Sequence, residues 1–118
     1  HVSEEARIKG IGVVLDKIAQ FGSLPAMIMG DFNVEEDTET YRSATENFLD
    51  VKYQTKDPIK SCTYQNWGER LDDDCIDYIM ISKTGFRVNS YNVVRTTYDG
   101  VYPSDHFPIT ASLTLTQN

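Results

Sequence analysis

Three short stretches bring together residue types that can do chemistry. Asp31 and Asn33 follow an apolar run, residues 26–29, and a glycine, Gly30. Asp77 lies inside the apolar stretch Ile76-Asp77-Tyr78-Ile79-Met80-Ile81-Ser82, and a third stretch reads Ser104-Asp105-His106-Phe107-Pro108. A carboxylate in an apolar strand is costly without a partner, and a histidine is the obvious partner for Asp77. Such a His–Asp pair fixes the imidazole tautomer and raises its basicity. Asp105, adjacent to His106, faces differently and can hold a cation while His106 meets a substrate. Asp31 can then orient or deprotonate a water, and Asn33 can donate to a phosphate oxygen. The set suits metal-assisted phosphoester hydrolysis. Taken singly, each residue has a plainer reading: Asp31 or Asp77 as a turn cap, His106 as a satisfied core histidine. Three polar strand-end motifs within 118 residues are harder to dismiss together.

The elements that must position these residues can be read from periodicity. Ser3-Glu4-Glu5 is a helix start, with a hydroxyl cap and acids in the first turn. Ile8, Ile11, Val14, Leu15, Ile18 and Phe21 recur at helical spacing, so a helix is expected over residues 3–20, closed by Gly22. Gly10 and Gly12 inside it imply close packing against a sheet. The run 26–29 reads as a strand buried on both faces, with Gly30 allowing a sharp turn. Thr38 is expected to cap a short helix carrying Tyr41, Ala44 and Phe48, and the acids Glu35-Glu36-Asp37 before it read as solvated. Residues 50–68, with a Thr63-Tyr64 pair and Trp67, read as a long site-lining loop. Strands are expected over 76–82, 86–95 and 109–115. In the last, Ile109, Ala111, Leu113 and Leu115 alternate with polar residues and give one apolar face. The order is αβαβββ.

The totals narrow the class. A chain of 118 residues suits one unit with a modest core. No apolar run approaches membrane-spanning length, and nothing resembles a signal peptide. The opening at His1 without Met reads as trimmed. The net charge of -7 disfavours broad tracking of nucleic-acid phosphates but not a metal site, since hard cations require carboxylates. Cys62 and Cys75 lack metal or redox spacing, leaving two free thiols or, in an exported protein, a disulfide.

Gly30-Asp31-Phe32-Asn33, Ile76-Asp77-Tyr78-Ile79 and Ser104-Asp105-His106-Phe107-Pro108, in this order, closely resemble the endonuclease/exonuclease/phosphatase family. The opening His1-Val2-Ser3-Glu4-Glu5-Ala6-Arg7 also resembles its mid-domain helix start. The resemblance implies an α+β fold: half of a deoxyribonuclease I-like sandwich, with one mainly antiparallel sheet and helices on one face. It implies a phosphoesterase dependent on Mg2+ or Mn2+. Asp31 would position the nucleophilic water, Asn33 would contact the phosphate, and Asp77 would orient His106. His106 would act as base or transition-state stabiliser, and Asp105 would help hold the metal. His1 and Arg7 would be structural.

Against the family pattern, the chain matches only the second half. The first-half metal-binding Glu, an early Asn and a second active-site His are missing, and Cys75 after Asp72-Asp73-Asp74 stands where relatives often carry Arg. The expectation is therefore a C-terminal half-domain, inactive alone and prone to self-association through an uncovered apolar sheet face. The alternative is a non-catalytic binding or scaffold module on the same fold. A phosphate ester is the expected substrate, with nucleic acid not favoured by charge.

Overall fold

The structure, a computed structural model, describes residues 3–71 and 75–116. The expectations for His1 and for the Asp72-Asp73-Asp74 run lie outside the described residues. Helix α1 spans Glu4–Ala19, and Ser3 caps it by accepting a hydrogen bond from the Ala6 amide. Strand β1 (Met27–Asp31) leads to helix α2 (Glu39–Thr45), capped by Thr38 through the Tyr41 amide. Then come β2 (Phe48–Asp50), β3 (Asp77–Ser82), β4 (Phe86–Val93) and β5 (Ile109–Leu115). Phe48 thus belongs to an additional strand and not to the second helix. The expected structureless loop over 50–68 contains two 3-10 turns, Val51–Gln54 and Asn66–Gly68.

The strands form two antiparallel groups, β1-β3-β2 and β4-β5, where a single sheet was expected. The reason lies in β3. It pairs with β1 along one edge (Met27 opposite Ile81, Asp31 opposite Asp77) and with β2 along the other (Phe48 opposite Ser82). No free edge remains for β4, so the β4-β5 ribbon lays its apolar side on a face of β3.

Alternation along β3 divides the core. Tyr78 and Met80 face the helices and pack with Ile11 and Ala44, with Leu15 and Ile18 at the border. Ile79 and Ile81 face the ribbon and pack with Val51 and Tyr91, bordered by Ile109, Ala111 and Leu113. Both helices therefore lie on one side of the three-stranded sheet. Strand β1 is not buried on both faces as its composition suggested. Ile28 packs toward the helices, but Met27 and Met29 are 44% and 62% exposed. They share a face with their register partners Ile81 and Ile79, yet the ribbon covers only the β3 side. The close-packing explanation for Gly10 and Gly12 also fails, because a Cβ at either would meet no atom within 4 Å.

Candidate active site

Asp31 ends β1 and Asp77 begins β3, and the register sets them directly opposite one another. Like charges so placed repel. His106 resolves the conflict by standing between them. Its Nδ1 is 2.7 Å from Asp77 Oδ2, and its Nε2 is 3.9 Å from Asp31 Oδ2. An ionised Asp77 can only accept, so Nδ1 carries the proton. Burial pulls the His106 pKa down, but the Asp77 bond and charge, with the charges of Asp31 and Asp105, raise it overall above its ordinary 6.5.

Gly30, where a sharp turn was expected, stays within β1 and pairs with Tyr78. Its φ of +149° is an extended conformation closed to residues with a Cβ, and it precedes Asp31 directly. Asn33 follows with a left-handed φ of 53°, and its amide donates to Asp31 Oδ1 at 2.7 Å. That bond engages one carboxylate oxygen of Asp31 and leaves Oδ2 toward His106. Asn33 itself is exposed beside Asp31.

His106 is held by a segment that the sequence marked only as a loop. Phe107 N donates to Thr63 O at 2.6 Å, and Gln65 N and Asn66 N both donate to Asp105 O. The fully buried Gln65 side chain donates to Ser104 O and accepts from Gly68 N. Thr63 Oγ1 accepts from Ile76 N and Asp77 N, at 3.0 and 3.1 Å. One segment thus grips both the strand carrying Asp77 and the turn carrying His106. Tyr64 adds its ring, 5.2 Å from the imidazole. Gly68 has a φ of +92°, and a Cβ there would lie 2.5 Å from the Tyr102 ring. The Thr63-Tyr64 pair was visible in the sequence. Its clamping role was not, because both partners are more than ten residues away.

Among the described residues, Asp31, Asp77 and His106 bring metal-ligating atoms within 4.8 Å of one another. Asp105 lies outside that close group, although its charge reaches His106. With Asp77 engaged by the imidazole, Asp31 is the carboxylate of that group available to a hard divalent cation. One or two carboxylates completed by substrate oxygens is an ordinary donor set for Mg2+. A cleft of about 340 Å3 opens beside the pair, lined by Met29, Ile79, Phe107 and Ile109 together with Asp77 and His106. Arg7, expected to be structural, lines a second cleft with Asp31, and its Nε has no hydrogen-bond partner among the described residues.

The sequence profile of the Endonuclease/Exonuclease/phosphatase family matches residues 4–106. The chain belongs to this family. Human nocturnin (Homo sapiens) is 27% identical over an alignment covering 87% of this chain and 27% of its own length. A conserved protein from Enterococcus faecalis V583, described as functionally unknown, superposes with a TM-score of 0.85 at 30% identity. That match covers 98% of this chain and 47% of the other. A mannosyl-6-phosphatase from Bacteroides thetaiotaomicron gives a TM-score of 0.78 at 26% identity, covering 98% of this chain and 48% of its own. The fold is accordingly the α+β, deoxyribonuclease I-like fold, and the chain spans about half the length of these solved relatives.

Proposed function

We propose that this family member carries the phosphate-facing residues of a divalent-metal-dependent phosphoester hydrolase. The observation that carries the reading is His106, held between Asp77 at 2.7 Å and Asp31 at 3.9 Å on adjoining strand ends. A gap of 3.9 Å is too long for a direct bond and leaves Nε2 free beside Asp31. Asp31 orients and deprotonates a water there. Asp77 holds the imidazole with Nε2 toward the reacting group. His106, whose protonated form its carboxylate neighbours favour, donates to the charge that develops on the phosphoryl oxygens. Asn33 donates to a non-bridging phosphate oxygen. Asp105, with Asp31, would hold Mg2+ or Mn2+, which when bound would supply positive charge against the phosphate.

We read the chain as the C-terminal half of such a domain, completed by a further polypeptide segment that covers Met27 and Met29. Without that cover, self-association through the same face is expected. The net charge of -7 favours a small phosphate ester over nucleic acid, and the likeness to a mannosyl-6-phosphatase places sugar phosphates in the first assay. The test is a panel of phosphomonoesters and phosphodiesters with Mg2+ or Mn2+, run on this chain and on the longer protein containing it. Turnover by the longer protein is expected to fall at least about a hundredfold in Asp31→Ala, as for loss of a general base. Unchanged turnover in Asp31→Ala would overturn the assignment. Full activity of the 118-residue chain as a monomer would overturn the half-domain reading alone.

A further inference from the structure

A second cluster of reactive side chains lies away from the phosphate-facing residues, where the turn after β2 meets the start of β3. Lys52, only 2% exposed, directs Nζ to Glu36 Oε1, to Cys75 Sγ at 3.3 Å and to Asp50 Oδ2 at 3.9 Å. Cys75 is a free thiol, 9% exposed, and both residues line a cleft of about 370 Å3 with Glu36, Tyr53, Lys60 and Ser61. The Lys52 nitrogen is thus already in contact with a thiol sulfur. The same pair is reached by a space that admits small solutes. Nothing in the phosphoester reading uses it.

We propose that Lys52 and Cys75 form a covalent sulfur–nitrogen link when the protein meets a peroxide-class oxidant. Peroxide first transfers one oxygen to Cys75 Sγ. The O–O bond breaks, an S–O bond forms, the sulfur gives up two electrons, and the peroxide leaves as water carrying the thiol proton. Sulfenic acids of this kind condense with a neighbouring nitrogen. Lys52 Nζ, after releasing one proton to solvent against the hold of Glu36 and Asp50, then attacks Sγ. The S–N bond forms as the S–O bond breaks, and the hydroxyl leaves as water with a second proton from the nitrogen. The net change is the loss of two hydrogens from the protein.

Contact geometry favours the second step over competing fates of the sulfur. Burial pushes the Cys75 thiol up, with Lys52 offsetting part of that, so the first step is slow at neutral pH. Once formed, the sulfenic acid has the Lys52 nitrogen within 3.3 Å. The link ties the turn at Lys52 to the residue two positions before Asp77.

The experiment treats the full chain with hydrogen peroxide and follows it by intact mass and peptide mapping. The Cys62→Ser variant is used alongside the natural sequence, so that a Cys62–Cys75 disulfide cannot give the same mass change. Both proteins are expected to lose two hydrogens and to yield one peptide in which Lys52 is joined to Cys75, released by dithiothreitol. A Cys75 that gains two or three oxygens while Lys52 stays unlinked would overturn the proposal. So would an unmodified Cys75, or a mass change that disappears in Cys62→Ser.

Discussion

Two clusters in this molecule use the same side-chain types and come to opposite ends. Around His106, carboxylates flank an imidazole ring that is 28% exposed, at strand ends bordering an open cleft. Around Lys52, carboxylates surround an ammonium whose side chain is 3% exposed and whose three neighbours hold it in place. In both, burial pulls the cation's pKa down and the carboxylates raise it overall, for His106 chiefly Asp77 and for Lys52 chiefly Glu36. The difference lies in what remains uncommitted. Lys52 has its partners, and Tyr41 donates to Asp50 as well, at 2.8 Å. His106 keeps Nε2 open toward Asp31 across a gap. A substrate oxygen can meet His106 directly, whereas the charged atoms around Lys52 are satisfied by one another.

The largest effect expected from breaking this contrast is at the closed cluster. Lys52→Met leaves Asp50 and Glu36 without their cation, and removing one member of a buried ion pair costs about 3 kcal/mol or more. Urea or thermal unfolding measures this, and a loss below about 1 kcal/mol would show that Lys52 is dispensable to the fold. His106→Ala should do the reverse. Hydrolysis by the longer protein falls about a hundredfold, about 2.7 kcal/mol in barrier, while the melting temperature barely moves. A His106→Ala protein that unfolds readily would place His106 in the structural class with Lys52.

Thr63→Val probes the clamp that joins the two strand ends. Its hydroxyl is the acceptor for two amides, Ile76 N and Asp77 N, and orphaned donors in a buried setting cost about 1–3 kcal/mol. Denaturation measures the loss, and near-wild-type stability would mean that water replaces the hydroxyl.

The smallest effect is a shift in pH profile. His106 has a raised folded pKa, so its contribution to stability is complete below the unfolded value and is lost as pH rises through the folded one. Activity that depends on the protonated ring falls through the same window. Asp77→Asn removes the chief source of the raise, so that limb of the rate profile should move to lower pH, with a rate loss smaller than in His106→Ala. An unmoved limb would mean that another group titrates.

Much of this was legible from residue types alone. The cap at Ser3, the helix stripe, the polar–apolar alternation of β5 and the three strand-end motifs all depend on neighbours close in sequence. Periodicity and local chemistry encode such features directly. A carboxylate inside an apolar strand asks for a partner, and Asp77 has His106. Contacts between distant segments were beyond that reach. The sequence could not show that β3 has both edges occupied, which splits the strands into two groups. Nor could it show that Met27 and Met29 lie on the uncovered part of a face their composition suggests is buried. Lys52 carries no local mark of burial, because its nearest side-chain partners come from residues 36 and 75, which only chain reversal brings to it. The clamp at Thr63 and Gln65 has the same origin. Sequence determined which groups this protein has for chemistry and which strands end in them. Tertiary structure decided which carboxylates meet a histidine open to solvent and which enclose a lysine, because burial and partner count belong to the packed whole and not to any one stretch.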